Sequence, residues 1–197
     1  TEVAIQERLQ KFPVPMEEWR NYVLDQKIND RGICLDMDLV CEAIRCDEQA
    51  RAALTTAMRA LTQVDNPNSV AQMKAWLAEN GLETDTLGKA AVKELLKTAP
   101  EPLGQVLALR QALAKSSVKK YTTMTSAVCK DGRARGLLQF YGANRTGRWA
   151  GRLIQVQNLP QNHLPDLAAA RRLVKLGNFA ALDMLYSSVP EVLSEMI

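Results

Sequence analysis

The chain has 197 residues, with 25 Lys and Arg against 22 Asp and Glu, one His and four Cys, and is 47% hydrophobic and 5% aromatic. That apolar fraction supports a core for one or two domains and excludes a disordered or fibrous chain. No run of about 18 uncharged apolar residues exists to span a membrane, and the opening TEVAIQERLQ lacks the basic and apolar regions of a signal peptide, so a cytoplasmic, reducing setting is the default expectation.

Taken in chain order, Met16, Trp19, Val23, Leu24 and Ile28 recur at helical spacing; Pro15 suits the start of that helix and Asp30-Arg31-Gly32 breaks it. Ile33-Cys34-Leu35 reads as a short extended piece, and Asp36 as the N-cap of the next helix. That helix, 37–63, has no Gly or Pro and carries one apolar stripe that includes Leu39, Ala43, Ala50, Leu54, Met58 and Leu61. Turn formers follow at 65–69, where Asn68 or Ser69 can cap a helix running through Met73, Trp76 and Leu77 to a stop at Asn80-Gly81. A short helix begins near Gly88 and ends before Pro100 and Pro102. The spacing then predicts one longer helix from Leu103 to Met124 that carries Lys115, Lys119 and Lys120, with Lys115 and Lys119 on a shared face.

Residues 130–160 change character. Gly132, Gly136, Gly142, Gly147 and Gly151 break any helix, LLQFY (137–141) reads as a strand, and a Gly-rich turn and hairpin is predicted. Helical patterning returns from His163, which is expected to open a helix, in pieces broken at Gly177-Asn178 and before Pro190. Cys34, Cys41, Cys46 and Cys129 have no C-x-x-C spacing and read as buried thiols rather than disulfides or metal ligands. With His163 as the sole imidazole, a zinc site or a catalytic triad would hang on one residue. The fold class that results is mainly α with a small β element.

Charge is uneven along the chain. Residues 1–109 carry 12 basic and 17 acidic side chains, a balance of −5, whereas residues 110–152 carry 10 basic side chains and one acidic one, Asp131, a balance of +9. Such self-repulsion is normally relieved by a polyanion, and nucleic acid is the first candidate; a solvated face balanced by acidic residues elsewhere is the alternative. Within this segment Arg145, Arg148 and Arg152 alternate with small residues, and the side-chain amides of Gln155, Gln157 and Asn158 follow. Arginine forks and amides can donate to the acceptors that every base pair shows in the minor groove, whereas a turn whose amides satisfy buried backbone is the competing reading.

The run TGRWAGRLIQVQNLP (146–160) resembles the T-G-R-L-S-S-x-x-P-N-L-Q-N-I-P segment that precedes the first catalytic aspartate motif of family A DNA polymerases. Upstream, in the same order as in that family, DQKINDRGICLD is similar to a helix ending M-E-x-x-G-V-x-L-D, NPNSVAQMKAWLAENGL to the thumb segment N-x-N-S-x-x-Q-L-x-x-x-L-F-x-x-L-G-L, and LRQALAKSSVKKY to the thumb helix R-x-L-x-K-L-K-S-T-Y. The resemblance covers most of 12–160 and looks most like phage and prophage members.

What the resemblance implies is a division into the end of a linker from an upstream exonuclease-like domain (1–14), a helical thumb-like region (15–129) and the start of an incomplete palm (130–197). It implies that Arg148 matches the arginine that meets the minor groove at the primer terminus, Gln157 the glutamine that contacts the minor groove and Asn158 the asparagine after it, with Gln155 where the family usually has Asn. Asn68 and Ser69 match thumb residues near the DNA backbone, and Lys115 or Lys119 the thumb-helix lysine, with Lys120 beside them. Primer-template DNA is then the expected partner, with Arg145 and Arg152 adding to the footprint and no membrane.

The metal-binding aspartates of the family and its nucleotide-binding helix have no counterpart in the chain. The chain is therefore expected to be catalytically inactive alone, with no cofactor, while Mg²⁺ and dNTP belong to the full-length DNA-directed DNA polymerase. Asp166, Asp183, Glu191 and Glu195 read as solvated acidic faces rather than metal ligands. An excerpt of this kind is expected to expose apolar surface near 180–197 and to dimerise through it. A stand-alone nucleic-acid-binding module and a helical protein-interaction domain are the alternatives.

Overall fold

The computed structural model describes residues 1–114, 118–159 and 161–197. The protein is mainly α, with ten α-helices and two small antiparallel strand pairs among the described residues. It divides into two compact units, each drawn from two stretches of chain: Thr1–Asp36 with Ser126–Leu159, and Met37–Thr125 with Pro160–Ile197. No described helix is long and apolar enough to cross a membrane.

The first unit opens with α1 (Glu2–Leu9), which has no buried residue, and α2 (Met16–Arg31). Helix α2 starts at Pro15, whose φ of −53° suits that end, and stops at Gly32. Its apolar stripe stays exposed, from Met16 and Trp19 to Val23, Leu24 and Ile28, and its one buried residue is Asp25. Strand β1 (Ile33–Cys34) pairs with β2 (Arg133–Ala134) with Ile33 opposite Ala134, a pairing across about 100 residues that local periodicity does not reveal. The predicted hairpin is β3 (Leu138–Ala143) and β4 (Arg148–Gly151), with Leu138 opposite Gly151 and a bulge between Gln139 and Ala143.

The second unit is built around α3 (Met37–Thr62), which buries Leu39, Val40, Ala43, Cys46, Ala50 and Met58. Helix α4 (Val70–Glu79) is capped by Ser69, whose Oγ accepts the Gln72 N–H at 3.4 Å, and α5 (Lys89–Leu95) follows Gly88. Met58, Met73, Val106 and Leu113 form one core cluster, and Leu77, Val92, Leu103 and Leu107 another.

The single helix expected over 103–124 is instead two, α6 (Leu103–Leu113) and α7 (Lys119–Ala127), with Ala114 as the C-cap of the first. Apolar spacing runs on from one helix to the other, and residues 115–117 between them lie outside the described residues. Nor does His163 open a helix: α8 (Leu167–Lys175) begins four residues later, because Pro165 disfavours helical backbone at Leu164 and Asp166 caps the new helix, its Oδ1 accepting the Ala169 N–H at 2.9 Å. Asn178 likewise caps α9 (Phe179–Leu185), and α10 (Val189–Glu195) carries Pro190 in its first turn.

Two further expectations are corrected. Among the cysteines only Cys46 is buried, whereas Cys34, Cys41 and Cys129 are exposed thiols; a short strand and a long helix each have an outward face that apolar sequence context does not identify. At the C-terminal end, Met184 and Leu185 are exposed as expected, but α10 and its C-cap bury Val189, Val192, Leu193 and Met196. Polar contacts help hold that helix: the buried Tyr121 hydroxyl donates to the Leu193 carbonyl at 2.7 Å, Arg171 donates to the Met196 carbonyl at 3.0 Å, and Glu195 accepts the His163 N–H at 2.8 Å. Burial pushes the Tyr121 hydroxyl well above the usual tyrosine range. Tyr121→Phe strips the Leu193 carbonyl of its side-chain donor and is expected to cost about 1–2 kcal/mol of stability in urea unfolding.

Candidate nucleic-acid interface

The basic segment separates into structural and exposed arginines. Arg133 donates to the carbonyls of Arg31 (2.6 Å) and Gly32 (2.9 Å), and Arg135 to that of Asp30 (2.8 Å), so both cap the C-terminal end of α2, where cations are favoured. Asp131 ties them together: its carboxylate takes two bonds from Arg135, at 2.9 and 2.6 Å, and the Arg133 N–H at 3.3 Å. In the second unit Arg110 donates to the Pro67 carbonyl at 3.0 Å.

The Arg135 bond lowers the Asp131 carboxyl from its usual value near 3.8 to about 2. A carboxyl whose folded pKa is depressed stabilises the fold above its unfolded pKa and loses that contribution as pH falls through the folded one. The turn at 129–135 should therefore hold down to about pH 4 and loosen between about 4 and about 2. A carboxyl NMR titration checks this, and Arg135→Gln should return the Asp131 midpoint towards its usual value.

Arg145, Arg148 and Arg152 behave differently: all three are exposed, and among the described residues their side chains make no hydrogen bond or ion pair. Arg145 sits in the turn between β3 and β4, where the N–H groups of Thr146 and Gly147 both donate to the Ala143 carbonyl. Gly147 has φ +67°, and a Cβ there would lie 2.9 Å from the ring of Tyr141. Tyr141 itself has φ +55° at the hairpin bulge, so ring and glycine together close the turn from which Arg148 emerges.

Beyond β4, Leu153 and Gln155 both have φ +53° and flank the buried Ile154. Non-glycine residues persist in left-handed backbone only where the surrounding structure holds them there. A 3₁₀ turn, Val156–Asn158, then presents the amides. Asn158 donates to Gln155 Oε1 at 3.2 Å, and the Gln157 amide lies over Gly151, where a Cβ would come within 2.5 Å of it. Among the described residues neither Gln155 nor Gln157 bonds a backbone group through its side chain.

The structure thus brings Arg145, Arg148, Arg152, Gln155, Gln157 and Asn158 into the first unit and places Asn68, Ser69, Lys119 and Lys120 in the second. Asn68 is exposed, its N–H donating to Asn66 Oδ1, and the Ser69 hydroxyl is occupied as a helix cap. Lys119 is exposed and Lys120 half-buried in the first turn of α7, with desolvation lowering the Lys120 pKa. Lys115 lies outside the described residues.

Sequence reasoning missed the residues beneath the hairpin. The Asp25 carboxylate takes the indole N–H of Trp149 at 2.9 Å, and Asn29 pairs with both backbone groups of Leu138 at 3.0 Å. Asp25 and Asn29, four apart and so on one face of α2, were the available signal. Among the described residues no group of three or more His, Cys, Asp or Glu is arranged to hold a metal ion.

Over all of its 197 residues the chain is 53% identical to a DNA polymerase of Bacillus phage SP02, and it spans 30% of that protein's length. No family model matches the chain, and no solved structure matches it.

Proposed function

We propose that the chain is the DNA-holding part of a family A DNA polymerase, with residues 15–129 thumb-like and 130–197 the start of the palm. The observation that carries this reading is the hairpin end at 145–158, where three exposed arginines, without partners among the described residues, are followed by three exposed amides, Gln155 in left-handed backbone and Gln157 and Asn158 in a 3₁₀ turn. The likeness to the SP02 polymerase adds the enzyme class. In this reading Arg148, Gln155, Gln157 and Asn158 meet the minor groove of primer-template DNA, testing the shape of the terminal pair, while Asn68, Ser69, Lys119 and Lys120 meet phosphates. Phosphate contacts position the duplex; groove contacts check it.

The Mg²⁺ ions that such a polymerase uses do not fit the described residues, since Asp166 is occupied as a helix cap and Glu195 accepts a backbone N–H. The carboxylates for Mg²⁺, and the dNTP site, belong in this reading to the remainder of the longer protein.

Fluorescence anisotropy of the chain with a labelled primer-template junction, with single strand and with blunt duplex, at two salt concentrations, tests the proposal. Salt-sensitive binding that prefers junction or duplex supports it, and equal or absent binding overturns it. In the same assay Lys119→Ala should reduce the salt slope by about 0.9 if that ammonium meets a phosphate.

A further inference from the structure

We infer that Asp25, through Trp149, is a positioning residue for Arg148, so that a buried carboxylate on α2 sets the direction in which the hairpin presents its arginines; this rests on the DNA-binding reading above. Asp25 is 2% exposed, and among the described residues no cation pairs with it. Its charge is held by three neutral donors instead: Trp149 Nε1 on Oδ1 at 2.9 Å, and Asn29 Nδ2 at 3.1 Å and Gln26 Nε2 at 3.0 Å on Oδ2. A buried carboxylate without a counter-ion is costly unless its donors are kept in place, so the indole N–H is strongly constrained.

That constraint passes directly to the hairpin. Successive side chains of a strand point to opposite faces, so fixing Trp149 against α2 turns Arg148 to the other face, where it is exposed. Asn29 holds the partner strand from the same helix, donating to the Leu138 carbonyl and accepting the Leu138 N–H, so one turn of α2 grips both β3 and β4. Edge-to-face ring contacts make the same join, from Trp149 to Phe140 at 5.8 Å and from Phe140 to Tyr22 of α2 at 5.7 Å. Without the indole bond the hairpin keeps its ladder but loses the hydrogen bond between the Trp149 side chain of β4 and α2, leaving the ring contacts to orient that strand.

The test is a double-mutant cycle on binding to a primer-template junction, comparing wild type, Trp149→Phe, Arg148→Ala and the double variant, with matched and mismatched terminal pairs. Trp149→Phe keeps an aromatic ring beside Phe140 while removing the N–H together with the five-membered part of the indole. It should weaken binding to the matched junction about threefold to tenfold and reduce discrimination against the mismatch, yet add less than about twofold once Arg148 is already Ala. Losses that multiply, or that fall equally on matched and mismatched ends, overturn the positioning role, because a general structural defect acts whether or not Arg148 is present. If Trp149→Phe fails to stay folded, Asn29→Ser, which loosens β3 at Leu138, takes its place in the cycle. Wild type that does not bind the junction defeats the DNA reading and this inference with it, whereas wild-type binding unaffected by Trp149→Phe defeats the inference alone.

Discussion

Met58→Ala is expected to lower the unfolding free energy by about 2–5 kcal/mol. Met58 is 0% exposed, in one cluster with Met73, Val106 and Leu113, and Leu54, Leu61, Trp76, Leu87 and Leu109 pack around it. These neighbours come from α3, α4, α6 and the segment before α5, so none can move into the vacated volume without disturbing a second contact. The loss therefore combines the transfer energy of the thioether with a cavity that closes only in part. Met184, 86% exposed on α9, is the matched control, and its truncation should stay within about 0.5 kcal/mol. Urea denaturation distinguishes the cases: a lowered midpoint with an unchanged slope for Met58→Ala confirms the cavity account, and two equal midpoints would remove Met58 from the core.

Much of this core was readable in advance because it is periodic. The stripe on α3, the Ser69 cap and the stops at Gly32 and Asn80-Gly81 are local signals, and the helices stand where those signals put them. Apolar periodicity fails where it continues across a break, as between α6 and α7, and it cannot say whether a stripe is covered. On α2 the stripe is exposed and the buried position is a carboxylate, so the pattern located the helix without showing which side it buries.

Long-range pairings were legible least. The β1–β2 ladder, the Arg133 and Arg135 caps on α2, and the Asp25–Trp149 bond join residues about 100 or more apart, and each depends on the chain returning to its first helix. Summed charge was similarly blind. The +9 of residues 110–152 counts alike the arginines that cap a helix and those left exposed, and only the fold separates them. The candidate site was nevertheless legible at 145–158, because arginines, glycines and amides in a run need no distant partner to be noticed. What supports that run from below was not.

On the proposed function, Arg148→Ala should weaken binding to a matched primer-template junction by about 1–3 kcal/mol and weaken binding to a mismatched one by less. Arg148 has no partner among the described residues, so its removal leaves no buried group unsatisfied and should change the melting temperature little. A loss in affinity is then attributable to the ligand rather than to the fold. Discrimination should fall because a guanidinium fork directed into the minor groove donates to acceptors that a matched pair places consistently and a mismatched pair displaces. Arg145→Ala, at the apex of the turn, is the comparison: a phosphate contact there would lower both affinities equally and reduce the salt slope. Equal loss on matched and mismatched ends for Arg148→Ala as well would make the hairpin a phosphate clamp at every arginine, and the checking role would then have to rest on Gln155 and Gln157 alone.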